Sequence, residues 1–194
     1  PVLMLVALGT LGGLVYHGFR SPGNTPPGVT RLSQLRGSKE IFVGLAWATL
    51  CVLVPALAAK TLTSAPLSVG AMAVVAFLLA FQRTLALGCR AVRAGQIVGR
   101  ETLAGLLGPR GARWVFLMAT AGALVLVLLV WAWGGAVPFA PALAVVVVGM
   151  GMMCLKLLRR DEMEDEGSEV RADLPFYLAG LAAVVWFMTT GSWL

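Results

Sequence analysis

Four arginines, Arg83, Arg90, Arg93 and Arg100, fall within residues 83–100. Guanidinium groups at this density can hold a polyanion such as a diphosphate, because each offers a planar fork of donors to phosphate oxygens. The same residues also suit a plainer role, fixing the orientation of a membrane protein and meeting lipid phosphates. Glu101 is the only carboxylate in the stretch 83–103, and one carboxylate beside several arginines makes a poor magnesium site.

Other reactive residues point less clearly to a site. Clustered acids follow Arg159 and Arg160 in Asp161-Glu162-Met163-Glu164-Asp165-Glu166, but the spacing of a calcium-binding loop is absent. They read as a solvated charged loop that pairs with basic loops on the same side. Cys51 and Cys154 sit inside apolar runs and Cys89 at the edge of another, without a CxxC pair or a nearby histidine, so neither a disulfide frame nor a zinc site is expected. Tyr16 and His17 form the polar end of an apolar run.

These residues are set in a chain of 194 residues that is 59% hydrophobic and only 12% charged, with a mean hydropathy of +0.88. A soluble domain is typically about a quarter charged, so water is not the expected solvent. In lipid, each segment must satisfy its own backbone groups, which makes helices the default. The net charge of +6 resides in short segments between apolar runs, without the aromatic interleaving of a nucleic-acid surface, so no nucleic-acid partner is expected.

Six apolar runs have about the length a bilayer requires: 1–16, 41–59, 67–87, 114–133, 139–158 and 174–194. The expected fold is an all-α, polytopic transmembrane bundle of about six helices forming a single domain over 1–194. Long charged loops are expected at 17–40, 88–113 and 156–173, and short ones at 60–66 and 134–138. Counting Arg83 with the loop it borders, every Lys and Arg except Lys60 falls in the long set, which puts the long loops in the cytoplasm and both termini outside. A bacterial inner membrane is the expected location. The first run is short, begins at Pro1 and has no basic stretch before it, which fits a cleavable signal peptide poorly and fits either methionine removal before proline or a chain that begins further upstream. Gly149 and Gly151 permit close helix contact, and Met150, Met152 and Met153 are expected to pack against helices or lipid.

Two stretches carry a resemblance. Gln96-Ile97-Val98-Gly99-Arg100-Glu101-Thr102-Leu103, followed by Leu106-Leu107-Gly108, resembles the segment after the second aspartate-rich motif of the UbiA superfamily of membrane prenyltransferases. Lys39-Glu40-Ile41-Phe42-Val43-Gly44-Leu45-Ala46-Trp47-Ala48, then Pro55, is similar to the lysine-led start of that family's fifth helix. The resemblance sets the chain against the family's helices four to nine, the C-terminal two-thirds of a longer bundle. It implies a cavity open to the cytoplasm, a polyprenyl diphosphate held through magnesium ions on two acidic motifs, and transfer of the prenyl group to an aromatic or other acceptor.

The sequence departs from that pattern at the metal. Counting back from Gly99, the positions of the family's aspartates are Gly88, Ala91 and Gly95, none of which can bind Mg2+ through a side chain. A diphosphate would then rest on Lys39, Arg83, Arg90, Arg93 and Arg100, with Lys39 and Arg100 foremost because they stand inside the matched stretches. Two alternatives stay open: a non-catalytic relative with a lipid-binding or assembly role, and a small transporter or channel.

Overall fold

The computed structural model describes residues 38–93, 103–133 and 140–159, with Leu174, Tyr177 and Leu181 as isolated helical positions. Among the described residues there are helices and turns and no strand. Helix α1 spans Ser38–Ala48 and runs through a π-helical turn, Thr49–Leu53, into α2, Val54–Ala58. Pro55 accounts for the wide turn: its ring has no N–H to offer the carbonyl of Cys51 and collides with it. The chain loosens by one residue there, and Val54 N–H bonds to the carbonyl of Thr49.

The connection that follows is tight and self-satisfied. Lys60 takes a left-handed backbone (φ 58°), and Ala59 N–H bonds to Pro55 O at 2.9 Å. Thr61 Oγ1 donates to Ala56 O at 3.2 Å, so the carbonyls left open at the end of α2 find partners. A four-residue helix, α3 (Thr61–Ser64), occupies the short loop expected at 60–66. Pro66 then opens α4 (Pro66–Arg93) at a first-turn position where its missing N–H costs nothing.

Helix α5 (Leu103–Ala132) is broken at Gly108, whose φ of 64° and ψ of 178° lie outside helical space. A residue without Cβ adopts that conformation without strain, and Pro109 restarts the helix at once. Helix α6 covers Ala140–Arg159. Much of the loop expected at 88–113 is therefore taken up by helices, since α4 continues to Arg93 and α5 begins at Leu103, while 94–102 lie outside the described residues. Helix formation at these ends is decided by helix-forming residues and interhelical contacts, while hydropathy marks only where the apolar run stops.

Helix α4 packs against α1, α5 and α6, and α5 packs against α6. Its pairing with α5 is antiparallel: Gln82 meets Thr120, and the side chain of Leu78 lies 3.9 Å from where a Cβ on Gly122 would stand. Small residues set the close approaches. A Cβ on Gly44 would meet the Phe77 ring at 2.7 Å, and one on Gly151 would meet Thr120 Cγ2 at 2.7 Å.

The two faces of α5 show which solvent the bundle is built for. Its inward stripe is mostly small, with Ala112, Phe116, Ala119, Ala123, Val127 and Val130 buried. Its outward stripe carries Trp114, Leu117, Met118, Val125, Leu128 and Leu129, all exposed. A helix in water presents the opposite arrangement, with polar residues outward. Ser38–Ala58, Pro66–Cys89 and Arg110–Ala132 are each long and apolar enough to cross a membrane, and Leu143–Met152 is a shorter apolar stretch. The runs expected at 1–16 and 174–194 lie outside the described residues, apart from Leu174, Tyr177 and Leu181, which are exposed.

Candidate functional site at one end of the bundle

Glu40, in the first turn of α1, is 1% exposed although it is a carboxylate in an apolar protein. Its Oε1 accepts the backbone N–H of Leu103 at 3.2 Å. Leu103 opens α5, so this amide has no partner within its own helix, and a carboxylate also suits the positive end of the helix dipole. One side chain thereby fixes the starts of α1 and α5 side by side. Because α4 runs antiparallel to α5, its C-terminal end, bearing Arg90 and Arg93, arrives at the same end of the bundle.

The expected site residues separate into three groups. Lys39, exposed at the start of α1, shares this end with Arg90 and Arg93 of α4. Arg83 does not: it lies about 15 Å below Arg93 along α4, at 1.5 Å per residue, and inside the apolar segment Pro66–Cys89. It stands within the run expected at 67–87, and it is half-buried and has an interaction within the protein. Arg100 and Glu101 lie outside the described residues, as do Tyr16, His17 and the acidic cluster 161–169.

Glu40 was the missed member of this end. Its signal in the sequence was a carboxylate one residue beyond the lysine at the threshold of an apolar run. A second missed feature is Gln82, fully buried near the middle of α4, whose Nε2 donates to Thr120 Oγ1 at 3.1 Å. Thr120 Oγ1 in turn donates to Phe116 O at 2.9 Å. Three acceptor or hydroxyl oxygens are buried without a hydrogen bond among the described residues: Glu40 Oε2, Ser38 Oγ and Gln82 Oε1.

The described residues of this end do not form a magnesium site. Among the described residues no group of three His, Cys, Asp or Glu comes together. Gly88 and Ala91 lie on α4 where the resemblance would place aspartates, and neither has a side-chain donor. Among the described residues this end carries Lys39, Arg90 and Arg93, with the Glu40 carboxylate engaged in holding Leu103.

No family model, no curated protein and no solved structure matches the chain. The described residues define an all-helical protein with three helices long and apolar enough to cross a membrane.

Proposed function

We propose that the chain is a six-span membrane protein of UbiA-like architecture that engages a polyprenyl diphosphate at its basic end and transfers the prenyl group to a small acceptor. The observation that carries the reading is the Glu40–Leu103 hydrogen bond. It ties together the two stretches that bear the resemblance, residues 39–48 and 96–103, which are otherwise separated by a helical hairpin. Lys39, Arg90 and Arg93 then border one aqueous face, taken as cytoplasmic from the positive charge of the long loops.

In this reading the cations meet the diphosphate directly. As the allylic C–O bond breaks, its electron pair passes to the diphosphate oxygen, and nearby ammonium and guanidinium groups stabilise the growing negative charge. The acceptor attacks the allylic cation and loses a proton. Arg83, below the face, would meet the donor where its chain enters the bundle.

A second reading has its own support: Gly88, Ala91 and the lack of a three-ligand group among the described residues favour a non-catalytic relative that binds an isoprenoid lipid or assists assembly. Purified protein in liposomes, given prenyl diphosphates of several lengths with aromatic acceptors, separates the two. Diphosphate release that falls at least tenfold in Lys39→Gln and Arg93→Gln supports transfer. No release with any donor and acceptor, together with thermal stabilisation by an isoprenoid, supports the second reading.

A further inference from the structure

The exposed face of α5 changes character along its length. Arg110, Arg113 and Trp114 are exposed at its start, and Leu117, Met118, Ala121, Val125 and Leu128 continue the exposed surface at intervals of three and four residues. They form one continuous stripe, cationic at one end and apolar for the rest. Trp114 stands where the two parts meet and is 63% exposed. The opposite end of the same span carries Trp131 and Trp133, both exposed, and no lysine or arginine. Arg113 also has a contact within the protein, so Arg110 is the more available of the pair.

We infer that this stripe seats an anionic phospholipid of the leaflet at the Lys39 end of the bundle. The inference rests on the membrane reading given above and not on prenyl transfer. A phospholipid joins a phosphate to acyl chains that reach through half the hydrocarbon layer, about 15 Å. From Trp114 to Leu124 the helix rises about 15 Å at 1.5 Å per residue, so chains laid along Leu117, Met118 and Ala121 bring the phosphate level with Arg110 and Arg113. Two guanidiniums at one headgroup favour a lipid with net negative charge, because the ammonium of a zwitterionic head competes for the same phosphate. The absence of lysine and arginine from the Trp131 end of this span confines the preference along α5 to one leaflet.

The test is reconstitution of the full chain into nanodiscs containing an equimolar mixture of phosphatidylglycerol and phosphatidylcholine of matched chains, with retained lipids identified by native mass spectrometry. Wild-type protein should retain phosphatidylglycerol in preference, by about fivefold for each participating arginine and about thirtyfold for both. Arg110→Gln with Arg113→Gln should abolish the preference, whereas Trp131→Leu should leave it intact. Equal retention of both lipids by inserted wild-type protein overturns the inference. So does a preference that survives the double substitution, or phosphatidylglycerol displaced by millimolar inorganic diphosphate, which would mark a seat for a soluble anion. Failure of the chain to insert at all overturns the membrane reading and takes the lipid seat with it.

Discussion

Replacing Glu40 by alanine removes the acceptor that holds the first amide of α5 while leaving the backbone of α1 able to remain helical. The Leu103 N–H, bonded at 3.2 Å in the native protein, is left at a helix start without an intrahelical partner. Losing a side-chain cap costs about 1 kcal/mol, and a donor stranded away from water about 1–3 kcal/mol. A loss of about 1–2 kcal/mol is therefore expected for Glu40→Ala. Glutamine keeps an oxygen at the same reach, so Glu40→Gln should lose less than half as much. Unfolding free energies in bicelles would give the totals, and hydrogen exchange would locate them: the Leu103 amide should exchange about tenfold faster in the alanine variant, since about 1.4 kcal/mol corresponds to a factor of ten. Unchanged exchange in Glu40→Ala would refute the cap, as would equal acceleration by Gln and Ala.

Three further outcomes follow from the packing. Gly44→Leu should destabilise by about 1–3 kcal/mol despite the better helix propensity of leucine, because its Cβ meets Phe77 at 2.7 Å and that ring is stacked on Phe81 at 5.9 Å; an unfolding free energy equal to wild type would show the contact to be slack. A double-mutant cycle with Gln82→Leu and Thr120→Val should give a coupling of about 0.6 kcal/mol, the usual size of an interhelical hydrogen bond in a membrane, and zero coupling would discount the 3.1 Å bond. Gly108→Ala should cost about 1–3 kcal/mol from the backbone alone, since φ 64° with ψ 178° is a region essentially confined to glycine and a Cβ there meets nothing within 4 Å; a neutral alanine would argue against the break.

Hydropathy located the helices within a few residues. The runs read at 41–59, 67–87 and 114–133 correspond to Ser38–Ala58, Pro66–Cys89 and Arg110–Ala132. What it did not locate was where helices stop. Residues 88–93 and, apart from the break at Gly108, 103–113 are helical although charged or glycine-bearing, because helix ends follow caps and neighbours rather than transfer energy. Arg83 was legible inside the run 67–87 although its charge was counted with the bordering loop, and a half-buried arginine with an interaction in the protein can be held within such a segment. Lys39, Arg90 and Arg93 were legible as cations near span ends. Their common location came from Glu40, whose position at the start of an apolar run was legible but whose acceptor role depends on a residue 63 positions away. Gln82 was invisible for a similar reason, since its partner lies on another helix.

The break at Gly108 also sets a length. Arg110–Ala132 has 23 residues and rises about 34 Å, close to the roughly 32 and 36 Å of Ser38–Ala58 and Pro66–Cys89 with 21 and 24 residues. Left straight, α5 with its 30 residues would rise about 45 Å and have to lean steeply or stretch the surrounding lipid. By turning aside its first residues, the chain presents three neighbouring segments of nearly equal hydrophobic thickness. A variant that straightened the bend would therefore be drawn toward thicker membranes.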